Sequence, residues 1–384
     1  HYAFAAPAIA ISSEACTLQE TGGGVVFARE VPVQAWNRFV TRPKLPPVLD
    51  IDYASACTLL VRSDAIMRTG VMDWSYFIFS DDVDWSLRLR RAWGPGVCVT
   101  TARAEHDFPW AKPFAPMRLY YFQRNALYLF SKLRVKDPTL KSIRYTLLRI
   151  VRDGLTASAV GDHEIARTLW AALRDAWRGR RGEWRDRVTF PAGRDCLTAD
   201  DMRANGIRRV LLNIHVEAYA TEALRVIRAL CGDGVLVDLL CDAHRVEHFR
   251  AQARYREVLP RQPGGLNAVR HYRALRGQGY DLVVSDAFQE PRSAIDMAAA
   301  RSALYHDGSL WAAAHRPQRA CLAGVAAFPL AMSASGMLAW GLLKRPAPGK
   351  PPDEAAPLLE RLGVDPAVGQ PWARTWPLPF ESAP

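Results

Sequence analysis

The sequence predicts an α/β protein in which two sheet-bearing units are joined by a basic helical segment. Three observations point there: short β-like runs dominate up to about residue 110, apolar residues recur at three and four from 115 to about 187, and strand-like runs alternate with helix-like runs from about 205. With 384 residues, 49% of them hydrophobic and 23% charged, the chain is long enough for two globular domains and is not disordered in composition.

Tyr2–Ile11 is apolar but has no preceding basic region and no cleavage site, so it reads as a strand rather than a signal peptide. Further β-like runs fall at Gly24–Ala28, Tyr53–Val61 and Val97–Thr101. The helical pattern then rests on Leu119, Phe122, Ala126, Leu129 and Phe130, and later on Leu147, Ile150, Val151 and Leu155. After Pro191, the strand-like runs are Arg209–Ile214, Val235–Leu240, Glu257–Leu259 and Tyr280–Ser285, with helical spacing over Thr221–Leu230, Arg245–Tyr255 and Leu266–Arg276 between them. That rhythm predicts a parallel, doubly wound, Rossmann-like sheet. The turn after its first strand reads Asn213-Ile214-His215-Val216-Glu217 and carries no GxGxxG, and Gly264-Gly265 is too isolated to mark a phosphate loop, so the unit has no assigned function. The expected divisions are 1–115, 116–190, 205–345 and a Pro-rich tail over 346–384 with a short helix near Glu354–Leu362.

Ala320–Leu343 holds 24 residues without a charge, with Arg316 and Arg319 before it and Lys344 and Arg345 after it. Its length permits a membrane helix. Its Ala, Gly and Ser content and Pro329 weigh against insertion, so a spanning or dipping helix and a buried helix of the second unit both stand. Seven cysteines without CxxC or zinc spacing read as free, mostly buried thiols of a reducing compartment. The formal charge is +11, and Arg118–Arg187 alone carries 16 Lys and Arg against 7 Asp and Glu. Such a face suits anionic lipid or a phosphorylated substrate, and nucleic acid is not expected because no recognition helix, RNA-binding signature or zinc finger accompanies the charge.

The segment that carries chemistry is Phe77–His106. Asp81, Asp82 and Asp84 fall within four positions at the start of a helix, where Ser80 or Asp81 can cap and the helix dipole favours ionised acids. A cap needs one acid. Three repelling carboxylates beside Trp74, Tyr76, Phe77 and Phe79 are costly unless a cation or a reacting hydroxyl uses them.

Asp52–Ala56 (DYASA), Leu59–Arg62 (LLVR), Gly70, Phe77, the run Asp81-Asp82-Val83-Asp84-Trp85-Ser86-Leu87-Arg88, and His106, 24 residues beyond Asp82, resemble the second half of family 2 glycosyltransferases of the GT-A fold. The subgroup named by this resemblance contains bacterial galactofuranosyl- and rhamnosyltransferases. Tyr120–Leu129, with its Arg-Asn pair, and Leu169–Gly182 extend the likeness, which covers about residues 1–187. Departures are Ala56 in place of Gly, Met72-Asp73-Trp74 in place of a Gly-Phe-Asp turn, and Trp93-Gly94-Pro95-Gly96 in place of Gly-Tyr.

The resemblance implies an inverting, divalent-metal-dependent transferase that moves a sugar from a nucleotide-sugar donor to a glycan or lipid-linked acceptor, in cell-wall or surface polysaccharide synthesis. It implies Asp82 as general base, substrate contacts at Asp81, Asp84 and Trp85, and His106 as a ligand of Mn²⁺ or Mg²⁺. Spacing alone also allows Asp84 and Arg88 to be an i to i+4 ion pair. The metal- and nucleotide-binding DxD of the family is expected upstream of His1, because Asp50-Ile51-Asp52 occupies the acceptor-side strand. The expected setting is the cytoplasmic face of a bacterial plasma membrane, peripheral or single-span, with the basic helices on anionic lipid. The alternative of another class is a non-catalytic glycan-binding or scaffold protein of a polysaccharide assembly complex.

Overall fold

The computed structural model describes residues 2–11, 14–26, 31–34, 40–41, 46–106, 116–133, 136–185, 195–214, 217–241, 243–261, 266–286, 298–306, 308–312 and 317–344. The tail 346–384, its expected helix at Glu354–Leu362, and Gly264-Gly265 lie outside them. The architecture is mixed α/β, with two six-stranded mixed sheets, a two-stranded ribbon and ten α-helices among the described residues.

The first sheet grows around β1 (Phe4–Ile11), whose small alternating side chains, Ala6, Ala8 and Ala10, are all buried. It runs parallel to β8 (Gly96–His106) and antiparallel to β2 (Glu14–Glu20). β5 (Val40–Thr41) joins β2, β6 (Val48–Ile51) closes the other edge on β8, and β7 (Leu60–Val61) pairs with the start of β1. The ribbon is β3 (Gly23–Val26) with β4 (Val31–Gln34). The strand expected over Tyr53–Val61 is a loop for most of its length. Its backbone N–H groups at Ser55 and Ala56 donate to carboxylates instead of to a ladder, and only Leu60–Val61 pairs.

α1 (Ser63–Thr69) and α2 (Asp81–Ala92) follow. α2 buries Val83 and Leu87 against a cluster that also takes Leu119, Leu127 and Phe130 of α3 (Pro116–Leu133), Ile143, Leu147 and Ile150 of α4 (Lys136–Val160), and Leu169 of α5 (His163–Arg178). The expected helical segment is therefore a bundle packed on α2, and it sets the position of the α2 N-terminus.

After α6 (Ala199–Ala204), whose Thr198 and Asp201 form a capping box, the second sheet has the order β11-β10-β9-β12-β13-β14. Its strands are β9 (Arg209–Asn213), β10 (Leu236–Cys241), β11 (Glu257–Pro260), β12 (Tyr280–Asp286), β13 (Ala299–His306) and β14 (Ser309–Ala312). All pairs are parallel except β13 with β14. Val210 and Leu212 enter one core cluster and Leu211 another, as period-2 alternation demands of a strand covered on both faces. The connecting helices are α7 (Glu217–Cys231), α8 (Val246–Ala251) and α9 (Leu266–Gly277). β13 and β14 had no counterpart in the sequence pattern.

α10 (Pro317–Lys344) departs from the expected grouping with this sheet: it packs against α4, and Ala339 and Leu342 join the α3–α5 cluster. Pro317 opens the helix, where its missing N–H costs nothing. Cys57, Cys98, Cys196, Cys231 and Cys241 form no disulfide; of these Cys98 and Cys241 are buried, Cys231 is half-buried, and Cys57 and Cys196 are exposed.

Candidate functional site

Three non-glycine residues in a left-handed conformation, Phe77 (φ 66°), Phe79 (φ 66°) and Ser80 (φ 67°), precede the acids. Each such residue carries a cost of order 1–3 kcal/mol that the surroundings must offset. The offset comes from α3. Asn125, fully buried, donates its side-chain amide to the carbonyls of Tyr76 (3.1 Å), Ile78 (2.7 Å) and Phe79 (2.9 Å). Arg124, also buried, donates to Tyr76 O (2.9 Å) and Gly182 O (2.8 Å), so the chain that closes the bundle is tied to the same turn. Ser80 takes the N-cap position with no side-chain cap, contrary to the capping expected of Ser80 or Asp81.

The turn delivers Asp81 and Asp82 to the open end of α2. Asp82 accepts from Val83 N (2.8 Å) and from Ala56 N (3.4 Å). Burial, then the charges of Asp81 and Glu20, push its carboxyl up to about 7 despite those two hydrogen bonds. Asp81 is raised as well, mainly by burial. Glu20, at the end of β2, is itself buried and accepts from Ser55 N (2.9 Å), which fastens the 53–57 loop beside the acids. Around them, Phe77 is 47% exposed and stacks on Tyr121, while Phe79 stacks on Phe122, itself half-exposed.

Asp84 takes a different part. It is 1% exposed; its Oδ2 accepts from Arg88 Nε (3.0 Å) and its Oδ1 from Lys132 Nζ (2.8 Å). Lys132 also meets Asp73 (2.7 Å), and Arg88 donates to the carbonyls of Thr69 and Val71. Burial pushes Asp73 up, but Lys132 and the hydrogen bonds from Ser75 outweigh it and hold the carboxyl below its ordinary value. Two acids and two bases thus compensate one another under the strained turn. The i to i+4 pairing of Asp84 with Arg88 is present, and the substrate contact expected of Asp84 is replaced by this internal network. Trp85 donates its indole N–H to Gly70 O (2.8 Å) and packs on the cluster around Phe4 and Leu89, so it anchors α2 rather than facing a ligand.

His106 ends β8 opposite Ile11, and its Nδ1 lies 3.0 Å from Gln19 Oε1, one residue before Glu20. Among the described residues no three His, Cys, Asp or Glu side chains converge as a metal site. One imidazole and one amide oxygen do not make a Mn²⁺ or Mg²⁺ centre, which needs about six hard donors, so the residues described here do not fit the metal by themselves.

The structure therefore brings together Asp81, Asp82, Glu20 and the 53–57 loop, sets Asp84 and Trp85 beneath them, and places His106 on Gln19. Glu20 and Lys132 were not singled out from sequence. The Arg124-Asn125 pair and Asp73 were visible as parts of motifs, but a carbonyl clamp has no spacing signal of its own. No protein-family model matches the chain, and no curated protein matches its sequence.

Proposed function

We propose that the chain is a glycosyltransferase in which Asp82 is the general base of an inverting transfer, on a domain of GT-A type followed by a Rossmann-like unit. The observation that carries this reading is the Asp82 carboxyl itself. It follows a clamped, strained turn that carries the part-exposed ring of Phe77, and it is lifted to about 7. A base poised near the operating pH combines a usable ionised fraction with real proton affinity. Exposed aromatic rings suit the C–H faces of a sugar.

In the proposed step, an acceptor hydroxyl oxygen attacks the anomeric carbon as the bond to the nucleotide diphosphate breaks, and the hydroxyl proton passes to Asp82. Asp81 orients the acceptor. Glu20 acts through charge, raising Asp82, and through Ser55 N, holding the loop. No step is assigned to a metal, because the described residues do not assemble its ligands. The donor would be a nucleotide sugar and the acceptor a glycan or lipid-linked glycan of cell-wall or surface polysaccharide.

The test is a screen of the full-length gene product against nucleotide-sugar donors and glycan acceptors, with Asp82→Asn alongside. Transfer by the parent and a loss of about 10²-fold or more in kcat by the variant, with donor binding unchanged, is the expected result. Turnover retained by Asp82→Asn would remove the base from the mechanism. Among the described residues no metal site assembles, and a second reading, a glycan-binding or scaffold protein, predicts acceptor binding by parent and variant alike and no product from either.

A further inference from the structure

α10 is built inside out. The stripe it turns toward α4 is small: Ala327, Ala331, Ser335 and Ala339, four apart, are all buried; beside it, a Cβ on Gly341 would come within 2.5 Å of Trp177 on α5. Except for Leu338 and Leu342, which pack on the bundle, its large described side chains face away. Leu322, Val325, Phe328, Leu330, Met337 and Trp340 are between 47 and 71% exposed. A helix buried in a water-soluble core does the reverse, turning its large apolar residues inward. Small residues on the helix–helix seam with large ones outward is the arrangement of a helix whose outer surroundings are hydrocarbon.

We infer that α10 is an interfacial helix that seats the protein on an anionic lipid bilayer through its outward face. A soluble partner would be met by an apolar centre with a polar rim, whereas no charge occurs from Ala320 to Leu343. In the sequence, charge flanks the run, with Arg316 and Arg319 before it and Lys344 and Arg345 after it, a pattern that suits phosphate headgroups. The companion helix decides against spanning. α10 runs its buried stripe against α4, which carries Arg144, exposed, together with Arg149 and Arg152. If α10 crossed the bilayer, α4 would be drawn into hydrocarbon with those guanidinium groups. Lying in the headgroup and acyl boundary, α10 immerses one face only and leaves α4 in water.

The experiment is flotation of the full chain with vesicles of phosphatidylcholine alone and of phosphatidylcholine mixed with phosphatidylglycerol. The chain should float with the mixed vesicles, less with the neutral ones and less in high salt, and alkaline carbonate should release it. Val325→Glu/Leu330→Glu/Met337→Glu, all at exposed positions, should cut partitioning by at least about tenfold while the melting temperature holds. Met337→Glu alone, with a smaller loss, carries the test if the triple variant melts early. The inference is overturned if the chain does not float with either vesicle, if the variants float as well as the parent, or if carbonate leaves the chain in the membrane, which would mean a spanning helix. It is equally overturned by a lipid-free dimer that the triple variant dissociates, since a second copy would then cover the face. None of these readings involves sugar transfer, so their failure leaves the proposed chemistry untouched.

Discussion

Asp82 links pH to stability and, in the proposed transfer, to catalysis, and the two links have opposite signs. Its folded value of about 7 lies above the ordinary carboxylate value of 3.8. The stability contributed by its protonated form is complete below about pH 4 and is lost as pH rises through 7. Asn cannot ionise and has nearly the same shape. Asp82→Asn should therefore gain stability over the parent as pH rises, the difference growing by about 1–3 kcal/mol between pH 4.5 and 8. Urea unfolding at the two pH values measures this, and a pH-independent difference would mean that Asp82 titrates like an exposed acid. The proposed catalysis runs the other way: only the ionised carboxyl accepts a proton, so kcat/KM should climb through an acid limb near 7 that the Asn variant lacks. Glu20 enters the same account as a charge that raises Asp82, and Glu20→Gln should move that limb to lower pH by a fraction of a unit, with the pH–rate profile as the readout.

At the level of elements, one helix, α3, holds the site's geometry through two devices. Near its middle, Arg124 and Asn125 clamp the turn before α2; two turns later, Lys132 neutralises Asp73 and Asp84. Asn125→Ala removes a donor from three carbonyls, one buried and two part-buried, and leaves Arg124 as the turn's remaining clamp, so stability should fall by about 2–4 kcal/mol, and the pH dependence described for Asp82 should flatten as the turn relaxes toward solvent. Lys132→Met leaves two buried carboxylates facing each other and should cost about 3–5 kcal/mol, partly recovered by Asp84→Asn in the same chain. Thermal melts of the three variants check both. These devices also mark where the sequence was readable and where it was not. Helix α2, its acids, the Asp84–Arg88 pair and the α3–α5 helices follow from spacing, because apolar periodicity and i to i+4 pairing are local. The clamp and the Lys132 network join residues roughly 46–59 positions apart. Glu20 sits on a strand whose sequence, EACTLQE, gives no sign that its last carboxylate turns inward. Similarly, β9–β12 were legible as apolar runs, whereas β13 interleaves Arg301 with buried Ala303 and Tyr305 and hides its period behind polar residues.

At the scale of the whole molecule, α10 is the connection between the two sheets. It leaves the second sheet after β14 and lies on α4 of the first unit through a seam of small residues, so the second unit is tied at both ends to the helices that position Asp82. Ala327, Ala331, Ser335 and Ala339 keep that seam close, Leu342 joins the bundle's apolar cluster at its end, and Gly341 lies tight against the Trp177 ring of α5. Gly341→Leu must displace either that ring or α10 itself. Overpacking of this kind costs about 1–3 kcal/mol, and its distribution tests the coupling. If α10 transmits stability between the units, hydrogen exchange in the variant should quicken both in α4 and in β13–β14, because loosening the helix frees the strand hairpin that leads into it. Faster exchange confined to α4 would show that the second sheet stands alone and that α10 is only a cover for the bundle. Gly341→Ala supplies the graded control: its single methyl presses on the same ring, so it should move exchange in the same segments by a smaller amount, whereas a substitution at outward-facing Met337 should move neither.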